Sequence, residues 1–169
     1  MNRVFVRAAA VAVAVVFAGC SSVSEPVGPP EGSANLLILP FEGRDVAGFI
    51  YGSLRSRERL VVRTTEAWEE IWTRMTSNYT PQPPAPEVDF ESEMVIIASM
   101  GSRPTGGFGI NVVQVAESEG TVYVVVNETS PGFRCITTQA LTSPVTAVRV
   151  QRRDGPVTFL ERESVSDCR

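Results

Sequence analysis

The chain has 169 residues, about the length of one domain, and a formal net charge of −4 at pH 7. All fifteen basic residues are arginines, and the sequence contains neither lysine nor histidine. This composition excludes Ser-His-Asp triads, Cys-His pairs, Ser-Lys dyads and Schiff-base lysines, and the acidic balance argues against a nucleic-acid partner. We therefore expect a protein that is not an enzyme, with no catalytic residues, no bound metal and no cofactor.

Residues 1–19 have the features of a bacterial signal peptide. Two arginines precede an uninterrupted apolar run at residues 8–18, which is shorter than the roughly twenty residues that span a bilayer. The run ends in Phe17-Ala18-Gly19-Cys20, which resembles the lipobox of bacterial lipoproteins. In that family the chain is cut before the cysteine, which is then lipidated. An ordinary secretory signal cut nearby is the alternative.

The lipobox resemblance implies a lipid on Cys20 and a place in the bacterial cell envelope. Because Ser21 rather than an aspartate follows the cysteine, it implies the outer membrane if the cell has one. Residues 20–35 are dominated by serine, proline, glycine and glutamate, a composition that cannot bury a core. We predict a flexible tether over residues 20–35, with a reach of up to about 50 Å, and a globular domain over residues 36–169.

The first part of the predicted domain combines short strands with one helix. Residues 36–39, 46–51 and 59–63 are apolar runs typical of strands, and the last two are spaced as a hairpin. Thr64 or Thr65 then caps a helix in which Glu66 occupies the first turn. Its apolar residues recur at helical spacing, so that one face packs on a sheet: Trp68, Ile71, Trp72 and Met75.

The second part of the predicted domain is rich in β-branched residues. The proline-rich segment 77–87 ends the helix, and five strands are expected at residues 94–99, 108–115, 121–128, 145–151 and 157–161. Glu119-Gly120 and Asp154-Gly155 are turn signals at hairpin spacing. The fold class is therefore α+β: a largely antiparallel sheet of about seven or eight strands with one amphipathic helix packed on it.

Residues 101–110, GSRPTGGFGI, are rich in glycine without being a phosphate-binding loop. A Walker loop needs a lysine, which the chain lacks, and a dinucleotide loop must open a helix, whereas residues 108–113 continue as a strand. The segment therefore connects two strands. In this connection Gly106 and Gly107 take positive φ or permit close backbone approach.

Carboxylates at alternate positions of one segment suggest a further kind of site, for a metal ion or a shared proton. Asp89, Glu91 and Glu93 would share one face of a strand, where such a cluster binds calcium or shares a proton between two acids. The segment lacks the glycine and the spacing of a calcium loop, and a solvated strand edge also explains it.

The cysteines other than Cys20 form an even pair, Cys135 and Cys168. Outside the cytoplasm two remaining thiols most often pair, so we expect a disulfide. Two separate buried thiols are the alternative.

Five pieces of the sequence, spread over roughly residues 60–155, form one further pattern: the helix from Trp68 to Trp72, Val88-Asp89-Phe90, Met94-Val95-Ile96-Ile97, Leu141-Thr142-Ser143-Pro144 and, most specifically, the run from Gly101 to Phe108. Together they resemble the C-terminal domain of PrcB, a lipoprotein subunit of a bacterial surface protease complex. It implies a non-catalytic module that associates with a protease and helps to stabilise it. Phe108 departs from the tyrosine common in the motif, so no hydroxyl-dependent role is expected there.

Two functions of different kinds follow. The first is a lipid-tethered module that binds an extracytoplasmic protein, such as a protease, while the oligomeric state remains open. Its interaction loop would consist of Arg103, Pro104, Thr105, Gly106, Gly107 and Phe108, with Arg103 and Phe108 as anchors. The second is a carrier or sensor that holds a small apolar ligand between sheet and helix. A turn with no partner is the alternative for the loop, and alternation with Ile110 and Val112 would equally turn the Phe108 ring into the core.

Overall fold

A computed structural model describes residues 27–41 and 53–168 of the chain. This part contains eight strands and one helix. They are β1 (Ala34–Asn35), β2 (Leu39–Pro40), β3 (Arg57–Val62), α1 (Thr65–Met75), β4 (Glu93–Met100), β5 (Gly109–Ser118), β6 (Thr121–Pro131), β7 (Val145–Gln151) and β8 (Val157–Ser166). Within the described residues, no helix is long and apolar enough to cross a membrane.

The strands form two four-stranded sheets. The first sheet has the order β1-β5-β6-β8 and the second has the order β2-β7-β4-β3. Every pair of neighbouring strands is antiparallel except β6 and β8, which run parallel. The predicted α+β class, with a largely antiparallel architecture and one helix, is confirmed.

The second sheet lies between the first sheet and the helix. Its strand β4 is apolar on both faces and so contributes to two cores, one on each side of the sheet. Met94, Ile96 and Ala98 join the core shared with the first sheet, in which β6 contributes Val122, Val124 and Val126. Val95 and Ile97 point the other way and join the core formed with α1. An antiparallel strand buried on both faces loses the usual alternation of polar and apolar residues, which explains the continuous apolar run of β4.

The helix begins and ends as the sequence predicts. Thr64 is the N-cap, and its side-chain oxygen accepts a hydrogen bond from the Ala67 amide at 3.3 Å. Trp68 and Trp72 are buried against the second sheet. Their indole N–H groups donate to the carbonyl oxygens of Pro86 and Pro83, each at 2.8 Å, so the proline-rich segment packs across the helix.

One predicted turn and one predicted strand differ in the structure. Asp154-Gly155 is not a hairpin turn, because β7 and β8 belong to different sheets. The chain crosses there between the sheets, and the Arg63 guanidinium donates to the carbonyl oxygens of Arg153 and Gly155 at 2.9 and 3.0 Å. Of the strand predicted at residues 36–39, only Leu39 lies in a strand, because β1 ends at Asn35 in the first sheet and β2 begins at Leu39 in the second. By contrast, Glu119-Gly120 does turn a hairpin, with φ of 51° and 75°.

Other predictions fall partly outside the described residues. The strand at residues 46–51 lies outside them, and β3, its proposed hairpin partner, pairs with β4. The signal peptide at residues 1–19 also lies outside them. Of the predicted tether at residues 20–35, the described part is attached to the first sheet: β1 pairs with β5, and Arg162 donates to the Val27 carbonyl oxygen at 2.7 Å. A free tether would therefore be confined to residues 20–26.

Candidate functional site

One end of the space between the two sheets is charged rather than apolar. Along the inner face of β6, the row Val122, Val124 and Val126 continues into Glu128. Along β8, the residues packed on the core continue into Glu161. Because alternate residues of a strand share a face, β3 directs Arg57 and Arg59 toward these two carboxylates. The sandwich is closed at this edge by ion pairs between β3 and strands of the other sheet.

Arg59 lies at the centre of this cluster. It forms a two-pronged contact with Glu161, whose two carboxylate oxygens lie 2.8 and 2.9 Å from Nε and Nη2. Nη2 also donates to Glu128 Oε1, and Nη1 donates to the Ser99 carbonyl oxygen at 2.8 Å. Arg57 adds Nε to Glu128 Oε1 at 2.8 Å and Nη2 to Glu161 Oε2 at 2.9 Å. Two guanidinium groups thus neutralise two carboxylates by direct hydrogen bonds.

Burial and ion pairing shift the pKa values of Glu128 and Arg59 in opposite directions. Glu128 is only 8% exposed, and burial alone would raise its pKa. Hydrogen bonds and positive charge from Arg57 and Arg59 outweigh burial, so the pKa of Glu128 lies below its ordinary value. For Arg59, burial favours the neutral form, but Glu161 and Glu128 raise its pKa. Glu128 and Arg59 therefore both carry their charge near neutral pH.

The predicted interaction loop, residues 103–108, is held by the segment that follows β6. Arg103 and Thr142 exchange backbone hydrogen bonds at 2.7 and 3.0 Å, and the Gly106 amide donates to the Thr138 carbonyl oxygen at 2.9 Å. A β-carbon on Gly106 would lie 2.3 Å from the Thr138 hydroxyl, whereas Gly107 has a φ of +86°. Gly106 thus allows the backbone to approach Thr138 closely, whereas Gly107 adopts the positive φ of the turn, so each glycine is required for a different reason.

Arg103 and Phe108 contact each other across the loop. The Arg103 guanidinium lies 5.7 Å from the centre of the Phe108 ring, and its Nη2 lies 3.7 Å from Glu128 Oε2. The ring is half-buried against the core between the sheets, in line with its alternation with Ile110. Arg103 therefore contributes to the fold as well as to the surface, and only part of Phe108 is available to a partner.

A cleft of about 340 Å³ opens beside this pair. Arg103 lines this cleft, and its Nε is buried without a hydrogen-bond partner among the described residues. On the same cleft, Glu163 forms no ion pair with any described residue. The wall is partly apolar and partly charged, so the cleft suits a polar or charged group attached to an apolar stem. Its lining is formed by Met100, Arg103, Pro104, Phe108, Glu128, Ser130 and Glu163.

A second surface feature lies next to the loop. Four large apolar side chains protrude from the segment after β6 and from the end of β8; we call them the apolar tip. They are Phe133 (93% exposed), Ile136 (102%), Leu141 (71%) and Val165 (71%). The tip is fastened by the predicted disulfide between Cys135 and Cys168, which is confirmed. Arg134 lies over the Phe133 ring, 5.1 Å from its centre.

The carboxylates predicted to share a strand face are not brought together, so that prediction is wrong. Asp89 lies in a turn before β4, where its carboxylate accepts from the Glu91 amide at 3.1 Å and the Ser92 hydroxyl at 2.7 Å. The Ser92 hydrogen bond lowers the pKa of Asp89. Glu93 does begin β4, but it pairs with Arg149. Among the residues that the structure describes, no group of acidic residues and cysteines is arranged to hold a metal.

The clefts next to the helix do not favour an apolar-ligand site. Two clefts, of about 420 and 400 Å³, lie where Trp68 and Trp72 meet the proline-rich segment. Both open to the surface and include the polar side chain of Glu69, and the second also includes Gln82. On the sheet side, Phe41 stacks on Trp68 with ring centres 5.4 Å apart.

The ion-pair cluster and the apolar tip were not predicted from the sequence. The alternating arginines of the string Arg57-Glu58-Arg59 were a signal that one face of β3 carries positive charge. Which acids they meet depends on the packing of two sheets, and the two acids that pair with Arg59 lie 69 and 102 residues away. The tip gave a weaker signal, because its apolar residues follow no period.

Comparison with known families supports the predicted resemblance over part of the chain. Residues 94–151 match the family model described as PrcB C-terminal. The matched segment runs from β4 to β7, so it contains the loop at residues 103–108 and most of the apolar tip, but not β3 or β8. No curated protein and no solved structure matches the chain.

The substitution Glu128→Gln should lower the free energy of unfolding by about 3 kcal/mol at pH 7. It leaves the mostly buried Arg59 with one carboxylate fewer, and breaking a buried ion pair is strongly destabilising. Urea unfolding would measure the loss. The matched control is Glu70→Gln on the exposed face of α1, which should change stability by less than about 0.5 kcal/mol. Equal stability of the two variants would show that the cluster contributes little.

The free energy of unfolding should also fall in acid, because Glu128 becomes protonated there and loses its ion pairs. Because the pKa of Glu128 is lower in the folded state, its contribution is complete above its ordinary pKa of 4.5 and is lost as pH falls through the folded-state value. Unfolding free energies measured between pH 7 and pH 3 should decline below about pH 4.5 in the wild type. The decline should be shallower in Glu128→Gln, and identical slopes would contradict this assignment.

Proposed function

Because residues 94–151 match the PrcB C-terminal family model, we propose that the chain is a non-catalytic, lipid-anchored module of the cell envelope. It binds an extracytoplasmic protein, such as a protease, and helps to stabilise it. The binding surface is the loop from Arg103 to Phe108 together with the cleft beside it. The family match, which contains this loop, supports an accessory role alongside a protease.

The observation that carries the proposal is the incomplete pairing of charged groups at the cleft. Arg103 and Glu163 both line the cleft, Arg103 Nε has no partner among the described residues, and the Arg103 side chain is 30% exposed. A bound protein that supplies a carboxylate to the exposed part of the Arg103 guanidinium and a donor to Glu163 would pair both groups. Arginine and aromatic side chains are also the residues that most often dominate protein interfaces, and Arg103 lies against Phe108 here.

The rigidity of the loop favours binding. Backbone hydrogen bonds from Arg103 and Gly106 to the segment after β6 fix its shape before any partner arrives. A loop that is already ordered loses little conformational entropy on association, so more of the contact energy appears as affinity.

The electrostatics of the cluster support a non-catalytic role. A carboxylate that serves as a general acid needs a pKa near the working pH, which burial away from cations provides. Glu128 lies in the opposite environment, because two neighbouring arginines lower its pKa. Glu161 is held by the same two guanidinium groups. These acids are placed to hold two sheets together.

The lipid anchor rests on the sequence around Cys20, which lies outside the described residues. An eleven-residue apolar run that ends in Ala18-Gly19-Cys20 supports lipidation of the cysteine and retention in the cell envelope, at the outer membrane if there is one. The attachment of residues 27–35 to the first sheet implies that the domain sits close to this membrane.

Charge reversal at Glu163 tests the cleft. Glu163→Arg should weaken binding of the partner at least about tenfold, because it places a guanidinium beside Arg103. The partner is first identified by a photo-crosslinking residue at position 104, which lines the cleft, in native membranes. Glu163 is exposed, so the melting temperature should change little. Arg103→Ala is less informative, since it also removes contacts to Glu128 and Phe108.

The matched control carries the same charge change on α1, which lies beyond the second sheet from the cleft. Glu70→Arg should keep full affinity, and a crosslinker at position 70 should not capture the partner. If Glu163→Arg binds as well as the wild type, or if positions 104 and 70 crosslink equally, the cleft is not the interface.

Replacement of the proposed lipidation site tests the anchor. Cys20→Ser should leave the protein unprocessed or release it from the membrane, because no thiol remains to be lipidated. Mass spectrometry of the peptide that contains residue 20, together with detergent phase partition, measures the change. Wild-type mature protein that enters only the aqueous phase, with an unmodified Cys20, would contradict the proposal.

A further inference from the structure

The apolar tip is an exposed hydrophobic surface held by the fold. Phe133 and Ile136 are almost fully exposed, and Leu141 and Val165 are 71% exposed. Large apolar side chains clustered on the surface of a single domain mark a site that meets another apolar phase. Residues 129–153, which include three of the four side chains, contain no acidic residue, although the chain has nineteen.

Covalent and hydrogen bonds prevent the tip from turning inward. The Cys135–Cys168 disulfide ties the segment after β6 to the chain beyond β8, and the Gly132 amide donates to the Ser166 carbonyl oxygen at 2.9 Å. On the other side, Thr142 is bridged to Arg103. Phe133, Ile136 and Leu141 therefore protrude from a segment fixed at three points.

The N-terminal chain joins the body near the tip. The Val27 carbonyl oxygen accepts a hydrogen bond from Arg162 at 2.7 Å, and Val165 is three residues further along β8, roughly 10 Å away. Cys20 precedes Val27 by seven residues, which span at most about 25 Å. A lipid on Cys20 would therefore hold the apolar tip within reach of the bilayer surface.

We propose that the apolar tip inserts into the lipid surface in which Cys20 is anchored, as a second membrane contact that orients the domain. This inference rests on the lipid anchoring proposed above. Phe133 and Ile136 would enter the boundary between headgroups and acyl chains, while Arg134 lies at the level of the phosphates. Val165 is flanked in sequence by the acidic residues Glu163 and Asp167, so it would stay at the edge of the inserted surface, outside the acyl chains.

A lipid surface fits the tip better than a protein groove does. The four side chains project outward from a segment whose only charge between residues 132 and 144 is Arg134. Anionic headgroups complement a lone arginine next to apolar side chains. The tip is also joined to the loop at residues 103–108 through the bridge from Arg103 to Thr142, so insertion would hold a bound protein close to the membrane.

Depth-dependent quenching tests insertion directly. The lipidated protein is reconstituted into vesicles of phosphatidylethanolamine and phosphatidylglycerol that contain lipids brominated on the acyl chain, with one added tryptophan reporter. Ile136→Trp should be quenched at least about twofold more strongly than Leu37→Trp. Leu37 is 74% exposed and follows Leu36, which bonds to Val115, roughly 23 Å from the tip end of β6. The native Trp68 and Trp72 are buried and give a constant background.

A combined variant separates insertion from lipidation. Phe133→Ser, Ile136→Ser and Leu141→Ser together should leave the melting temperature nearly unchanged and weaken association of unlipidated protein with the same vesicles about tenfold. If Cys20 carries lipid but the two reporters are quenched equally, insertion is overturned and the anchor stands. If Cys20 is unmodified but the serine variant loses vesicle binding, insertion stands and the anchor fails. If the serine variant loses crosslinking to the protein partner with vesicle binding intact, the tip is a protein interface and the proposal is wrong.

Discussion

The contact between Arg59 and its two acids is the constraint on which the architecture depends. Glu128 belongs to β6 and Glu161 to β8 of the first sheet, whereas Arg59 belongs to the edge strand of the second. Beyond the valines of β6, the space between the sheets holds charge in place of apolar contact. A guanidinium that bonds both carboxylates fixes the spacing of the two sheets at this end. The cleft and the apolar tip lie next to the point where that spacing is fixed.

This arrangement has an energetic cost that the fold offsets locally. Buried charges lose hydration, and their mutual attraction compensates only when hydrogen bonding is nearly complete. Arg59 meets this condition with bonds to Glu128, to Glu161 and to backbone carbonyl oxygens. Arg103 does not, since its Nε has no partner among the described residues. The difference separates an arginine whose donors are satisfied within the fold from one that keeps a buried donor unpaired among the described residues.

The sequence predicted the parts of the fold that depend on local pattern. The helix, its Thr64 cap and the Glu119-Gly120 hairpin follow from periodicity and turn chemistry, and the structure confirms all three. The Asp154-Gly155 connection did not follow, because a turn signal cannot say whether the next strand joins the same sheet. For the site, the sequence singled out the loop at residues 103–108 and the cysteine pair. It did not identify Glu128, since an acid on a strand has the same pattern whether it faces water or another sheet.

The attachment of Val27 to Arg162 also has a kinetic consequence. These residues are 135 positions apart, and the first sheet is completed only when the parallel strand β8 docks against β6. Folds dominated by such distant contacts form slowly, over milliseconds to seconds, because loop-closure entropy is lost before the contacts stabilise the chain. The C-terminal strand β8 is the last of these strands to be synthesised. The first sheet therefore cannot be completed on the ribosome before the residues of β8 are available to pair with β6.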